Sequence, residues 1–329
     1  MVETGMKLAI LGAGNLGTTL ALMMHEKGHE VVLWTVEEEV WSSILSRREN
    51  PRYLPGQKLP EGVEVTMEME EALREAQVAA VALPSHVVRE VMKRASPFLP
   101  RRSLVVDFAK GLEVETELRM SEVIEEEIPP DRGIGVVAIS GPSIASELLR
   151  KRPTAVEVSS RDMERALEAK EVLETPYFHL YPNEDLVGVE LGGVFKNVFA
   201  IGAGICDGLG MEANTKAAVV TRSLGELALL GEALGARSET FRGLSGLGDL
   251  IVTSFSPYSR NRRFGEKLGR GLSLEEAQAE IGQVVEGIRA TLVARRVAQE
   301  HDLHLPIVEA LYGVIYEAED PRETLKKFF

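Results

Sequence analysis

Lys196 is the residue whose setting most demands a chemical explanation. It lies in Val189-Glu-Leu-Gly-Gly-Val-Phe-Lys-Asn-Val-Phe-Ala-Ile-Gly-Ala-Gly204, apolar nearly all round, which reads as a buried helix with small residues that let neighbours approach closely. An ammonium there is costly unless it is hydrogen-bonded, charge-paired or faces a cleft. Gly192 and Ala200 lie one turn away and Glu190 sits off the face, so no acid of the same helix neutralises it. A functional ammonium is the expectation, and its removal should relieve a costly charge; a buried structural ion pair is the alternative. Other cations stand out in loops. Lys110, in Phe108-Ala-Lys-Gly111, follows an apolar strand-like run, at the kind of carboxyl end where parallel sheets bind ligands. Ser259-Arg-Asn-Arg-Arg263 sets the charged fork of Arg260 between the neutral donors Ser259 and Asn261, a set suited to phosphate, with the start of a solvated basic helix as the alternative. Asp249 ends the Gly-rich turn Leu244-Ser-Gly-Leu-Gly-Asp249, and Ser143, in Gly141-Pro-Ser-Ile-Ala145, is placed to cap a short helix or to touch a ligand.

A second constellation points to a dinucleotide. Lys7 to Leu11 reads as a buried strand that runs into Gly12-x-Gly14-x-x-Gly17 and then a helix up to Lys27-Gly28. Gly12 permits the tight turn, Gly14 lets the backbone approach a pyrophosphate, Gly17 lets helix pack on strand, and the helix N-terminus faces the anion. A second apolar run, Glu30 to Trp34, completes strand, helix and strand within about thirty residues. The position that usually reads the adenosine ribose falls near Thr35 and Val36, and neither the acid that favours NAD nor the arginine that admits NADP is there. Glu37-Glu-Glu39 follows, whose charge opposes a 2′-phosphate unless it is only the acidic first turn of a solvated helix.

The elements that must position these residues fall into two patterns. At 329 residues, two domains are the default. Strand-like runs at Val63–Thr66, Val78–Leu83, Ser103–Asp107, Ile134–Ser140, Pro153–Ser159 and Tyr177–Tyr181 alternate with helical stretches, among them Glu70–Ala76, Glu117–Glu127 and Asp162–Leu173. Asn50-Pro-Arg-Tyr-Leu-Pro-Gly56 reads as a punctuated loop. From Leu186 the strand signals stop and long helical patterns take over, including Thr215–Leu234. The expected architecture is an α/β Rossmann-type N-terminal domain over residues 1–187 and an all-α C-terminal domain over 188–329, with substrate and catalytic groups in the second. A net charge of −14 argues against nucleic-acid or anionic-membrane partners, so an anionic ligand must be held by local cations. One cysteine, Cys206, in an apolar segment, suits a reducing compartment and a core role. The apolar run Gly192–Cys206 is interrupted by Lys196 and Asn197 and is short of the about 20 residues of a membrane span, so a cytoplasmic protein with no integral membrane segment is expected.

Taken together, Gly12-Ala-Gly-Asn-Leu-Gly17, Pro84-Ser-His86, Ala109-Lys-Gly111, Gly141-Pro-Ser-Ile-Ala145, Glu190 to Asn197, Leu247-Gly-Asp249, Ser259-Arg-Asn261 and Val285-Glu-Gly287 resemble the glycerol-3-phosphate dehydrogenase family, most closely its bacterial NAD(P)-dependent form. The match runs in order from about Lys7 to Glu317. The resemblance implies reversible hydride transfer between NAD(P)H and dihydroxyacetone phosphate, a small phosphate substrate, giving sn-glycerol 3-phosphate for phospholipid synthesis. It implies Lys196 as proton donor and acceptor and Lys110 as a contact to substrate and cofactor. It implies that Gly141, Ser143, Asp249, Ser259, Arg260 and Asn261 hold the substrate, that Asn15, Leu16, Ala145, Arg260 and Glu286 touch the dinucleotide, and that the protein is a homodimer. Bacterial members often place Arg or His where this chain has Val36, so NAD is the expected preference over NADP. The chemistry of the residues agrees: hydride arriving at a ketone leaves an alkoxide that needs a nearby acid, no His sits in a motif suited to the task, and crowding by Lys110 and Arg260 depresses the pKa of Lys196 towards the working range. A 3-hydroxyacid or 6-phosphogluconate-type dehydrogenase shares the domain plan, and Ser259-Arg-Asn261 argues against it. A non-catalytic dinucleotide sensor leaves Lys196 unexplained.

Overall fold

A computed structural model describes residues 5–326. Contacts divide the chain into two compact units: one runs to Ala109 and takes in Met120–Ile139 and Ser143–Glu184, and the other comprises Lys110–Arg119, Ser140–Pro142 and the chain from Asp185 onward.

The first unit is built on strands β1 (Lys7–Leu11), β2 (Glu30–Trp34), β5 (Val63–Thr66), β6 (Val78–Val81), β7 (Leu104–Asp107), β8 (Gly135–Ser140), β9 (Thr154–Ser159) and β10 (Phe178–Pro182), in the order β10-β9-β8-β7-β6-β1-β2-β5. Pairing is parallel from β5 through β2, β1, β6 and β7 to β8, and again between β9 and β10. Leu8, Val31 and Val78 stand in register and are fully buried, as expected of strands whose runs are apolar without alternation because both faces are covered. The strands are connected by helices α1 (Asn15–Glu26), α2 (Glu38–Arg47), α3 (Met69–Leu73), α4 (Val88–Ala95), α5 (Met120–Glu127), α6 (Ala145–Leu149) and α7 (Met163–Leu173). The strand order reverses direction at the β1/β6 pair, the place where open α/β sheets bind ligands.

Two readings of this unit need correction. Asn50–Gly56 is not only a loop: β3 (Glu49–Asn50) pairs antiparallel with β4 (Leu54–Lys58), and the buried Asn50 amide ties this hairpin to Ala13 O at 2.8 Å and to Thr18 Oγ1 at 2.9 Å. Helix α5 begins at Met120 rather than Glu117, because Glu117 takes a left-handed backbone conformation, φ 61°, that no α-helix accommodates.

The second unit holds helices α8 (Leu186–Gly208), α9 (Ala213–Ala233), α10 (Asp249–Phe255), α11 (Arg260–Gly269), α12 (Leu274–Ile281), α13 (Glu286–Glu300), α14 (Pro306–Tyr316) and α15 (Pro321–Leu325). The Asp185 carboxylate starts α8 by accepting the Gly188 N–H at 3.0 Å, and it also accepts the Thr240 hydroxyl at 2.6 Å. Phe195, Phe199, Phe241 and Phe264 are wholly buried around α8, each stabilising the fold by roughly 1.5–3 kcal/mol. Glycines let backbones meet at this helix: a Cβ on Gly204 would stand 1.9 Å from Arg262 O, and one on Gly265 would stand 2.0 Å from Ile201 O. Helix α8 is longer than the interrupted Gly192–Cys206 run suggested, 23 residues, and is apolar enough to cross a membrane by length and composition. What opposes that reading is burial, since 94% of its most apolar window is covered by the protein itself.

Candidate active site

The glycine turn of the first unit has the shape a dinucleotide phosphate needs. Gly12 sits at φ 111°, and a Cβ there would stand 2.6 Å from Ala82 O, just past the end of β6. A Cβ on Gly17 would stand 1.8 Å from Gly12 O, so only glycine lets α1 close on the turn. Gly14 differs, because a Cβ there would meet nothing within 4 Å. It caps α1 with no side-chain hydrogen bond and leaves the first amides of the helix, Asn15, Leu16 and Gly17, to an external anion. The residues present therefore fit a pyrophosphate. Beyond β2, Val36 is exposed, and Glu37 is not a free charge: it takes the Tyr53 hydroxyl at 2.8 Å and pairs with Arg52 at 2.8 Å. Glu38 and Glu39 occupy the first turn of α2, the solvated-helix alternative.

The chemistry of the second unit centres on Asp249, the first residue of α10. Leu244–Gly248 forms one turn of π-helix that runs directly into α10, where a plain Gly-rich turn was expected, and it delivers the carboxylate into the interior. Lys196 Nζ donates to Asp249 Oδ1 at 2.6 Å and to Thr253 Oγ1 at 2.8 Å, while Lys110 Nζ donates to Asp249 Oδ2 at 2.7 Å and to Gly141 O at 2.8 Å. One carboxylate thus serves two ammonium groups. The acid that pairs with Lys196 comes from α10 rather than from the lysine's own helix, and the two form a buried ion pair. Burial is the chief reason the Lys196 ammonium falls from 10.5 to about 8; Asp249 opposes the fall, and Lys110 and Arg260 add to it. Burial alone would raise Asp249, yet the two lysines hold it below the ordinary carboxylate value.

Amide side chains tie the pieces together. Asn197 Nδ2 donates to Gly193 O at 3.2 Å and Lys110 O at 3.4 Å, its Oδ1 accepts from Asn261 Nδ2 at 2.8 Å, and Asn261 Oδ1 accepts the Gly287 N–H at 2.9 Å. A Cβ on Gly193 would collide with Ser140 Oγ at 2.4 Å, so this glycine makes room for Ser140 beside α8, while Lys110 Cγ at 3.5 Å would be in ordinary contact.

The structure brings Lys110, Gly141, Lys196, Asp249 and Asn261 into one network, with the Arg260 charge felt at Lys196. Ser259 caps α11, its hydroxyl accepting the Arg262 N–H at 3.2 Å, which is the helix-start alternative, and it leaves Arg260 exposed at the first helical position. Glu286 opens α13 beside Gly287. Ser143 and Ala145 fall in the first unit; Ile144, not Ser143, is the cap residue of α6, and no side chain caps it. Thr253 escaped the sequence reading although its spacing of four from Asp249 on one helix was available as a signal. The ion pair between Arg119 and Glu190, both buried, gave no local signal at all.

Among the described residues, a sheet with a glycine turn at its switch point and a helical unit with a buried lysine–carboxylate cluster define a dinucleotide-dependent oxidoreductase. The comparisons agree. Residues 7–166 match the model of the NAD-dependent glycerol-3-phosphate dehydrogenase N-terminus, and residues 185–326 match that of its C-terminus. The chain belongs to the NAD(P)-dependent glycerol-3-phosphate dehydrogenase family. The glycerol-3-phosphate dehydrogenase [NAD(P)+] of Pelotomaculum thermopropionicum is 46% identical over 98% of this chain and 92% of its own, and that of Bacillus subtilis is 42% identical over 95% and 91%. The crystal structure of glycerol-3-phosphate dehydrogenase from Coxiella burnetii superposes with a TM-score of 0.92 at 36% identity, covering 98% of both chains.

Proposed function

We propose that this chain reduces dihydroxyacetone phosphate to sn-glycerol 3-phosphate, reversibly, and that the product feeds glycerophospholipid synthesis. The observation that supports the reading most is the sharing of Asp249 by Lys196 and Lys110 within the helical unit. When bound, the reduced nicotinamide supplies the hydride. Lys196 holds the proton: its Nζ donates to the ketone oxygen as that oxygen becomes a hydroxyl, and in oxidation the neutral amine takes the proton back. A pKa of about 8 lets it do both near neutrality. Asp249 keeps the buried ammonium charged, and Lys110, Gly141 and Ser143 orient the substrate. Arg260, with Ser259 and Asn261, reads its phosphate. Gly12, Gly14, Asn15, Leu16 and Gly17 hold the dinucleotide phosphates, with Ala145, Lys110, Arg260 and Glu286 as further contacts.

We infer a preference for NADH, because Val36 offers a 2′-phosphate no charge and Glu37 holds Arg52 in an ion pair. A homodimer and a cytoplasmic setting belong to the same reading; the Cys206 thiol, pushed up to about 11 mainly by burial, suits a reducing compartment. The decisive experiment is to follow reduced-nicotinamide absorbance with dihydroxyacetone phosphate. Consumption that depends on that substrate supports the assignment, and none with either cofactor overturns it.

A further inference from the structure

Lys110, half-buried, reaches Asp249 from the start of a short excursion of chain, and the end of that excursion carries a buried cation, Arg119. Arg119 Nη1 donates to Glu190 Oε2, and both residues are buried. Glu190 lies on α8, the helix that also carries Lys196 and Asn197. Between Lys110 and Arg119 the chain turns back on itself. Leu112 and Arg119 pair in an antiparallel bridge, Glu113 N–H donates to Leu118 O at 3.0 Å, and Glu117 N–H donates to Glu113 O at 2.7 Å. Leu112 is buried within the apolar core of the second unit, and Arg296 of α13 donates to Val114 O at 3.0 Å.

This arrangement answers a mechanical question. A lysine side chain is long and freely rotating, so its ammonium stays on one carboxylate oxygen only if its backbone is fixed. The main-chain carbonyl of Lys110 receives a long bond from Asn197, 3.4 Å, which fixes little. A buried ion pair is different in kind, because leaving either partner alone in the interior is so unfavourable that the segment has one seat. Glu190 stands six residues before Lys196 on one rigid helix, so the pair references the Lys110 segment to the element that carries the proton donor.

We propose that Arg119 and Glu190 are a positioning pair for the reaction, seating the Lys110–Arg119 excursion on α8 so that Lys110 Nζ meets Asp249 and Gly141. The proposal rests on the reading that Lys110 touches the substrate. Neither residue touches substrate or cofactor in this scheme; both act through Lys110.

The test is a cycle of variants in the full-length enzyme. Arg119→Met combined with Glu190→Gln removes both charges without stranding one. Relative to the parent it should lower kcat/KM for dihydroxyacetone phosphate by about 10- to 100-fold, while the urea midpoint shows a folded protein. In a Lys110→Met background the same pair of substitutions should cost less than about twofold more, because the residue they position is gone. Arg119→Lys, which keeps the charge and loses the fork, serves where the neutral pair fails to fold; it should cost about three- to tenfold with Lys110 present and nothing without it. Losses that multiply in the Lys110→Met background would overturn the positioning role, showing that the pair acts on something else. Lys110→Met with unchanged kcat/KM would instead overturn the role of Lys110 itself, and the proposal with it.

Discussion

Lys196→Met deletes the ammonium and keeps most of the aliphatic bulk, and the structure separates its effect on stability from its effect on turnover. The fall of the Lys196 pKa from 10.5 to about 8 is a net penalty on the charged form of about 3 kcal/mol at roughly 1.4 kcal/mol per unit. Methionine escapes that penalty. Against it, Asp249 loses one ammonium but keeps Lys110 at 2.7 Å and the Thr253 hydroxyl at 3.2 Å. That loss is already contained in the net figure, so only the Thr253 hydroxyl bond at 2.8 Å and local repacking stand against the gain. The variant should match the parent at neutral pH or exceed it by up to about 3 kcal/mol, the direction the sequence alone led one to expect. The pH dependence has a definite sign. Between about 8, the folded value, and 10.5, the unfolded one, the unfolded chain binds the extra proton. The stability of the parent relative to the variant should therefore climb across that window, by up to about 3 kcal/mol, and be flat below it. Turnover should fall by about 10² to 10⁴, the usual contribution of general acid–base catalysis. Urea unfolding at pH 7 and at high pH, with steady-state kcat per folded molecule, reads all three. A variant that melts far below the parent yet turns over within about threefold of it would refute the argument and return Lys196 to the core.

Three further outcomes follow from the same geometry. In the reduction direction kcat should decline as pH rises through about 8, because the donor ammonium is lost, and in the oxidation direction it should rise through the same region; the reverse pairing in steady-state pH profiles would assign the proton to another group. Arg260→Lys keeps the charge but loses the fork, so KM for dihydroxyacetone phosphate should rise at least about tenfold, and an unchanged KM for substrate and cofactor alike would remove Arg260 from the site. Val36→Arg should shift the ratio of kcat/KM values towards NADPH, and a parent that already uses NADPH as well as NADH would defeat the inferred preference.

The parts legible in the sequence were those set by local pattern. Continuous apolar strands, the Gly12–Gly17 turn and the apolar periodicity around Lys196 each announce an element within one short window. What the pattern missed was set by contacts distant along the chain. Asp249 lies 53 residues from Lys196, and nothing in either neighbourhood shows that they meet. Ser143 has the residue type of a cap, but the helix begins two residues later, after Ile144. Pro55 and Gly56 read as loop punctuation, yet they sit in an edge ribbon, where a missing N–H costs little. Glu117 reads as helix, and only its left-handed backbone reveals the return of the Lys110 segment.

The shared carboxylate also resolves how so acidic a chain holds an anionic substrate. The whole protein carries a net charge of −14, which repels phosphate at long range. Near Asp249 the balance inverts, because Lys110 and Lys196 share one carboxylate and leave a positive charge in excess. Without Asp249, burial and the neighbouring cations would push the Lys196 proton off and leave no acid for the reaction. With a second carboxylate the cluster would hold little excess charge for a phosphate. One acid between two lysines therefore meets both demands, keeping Lys196 protonated at neutral pH while the surplus charge remains for the substrate.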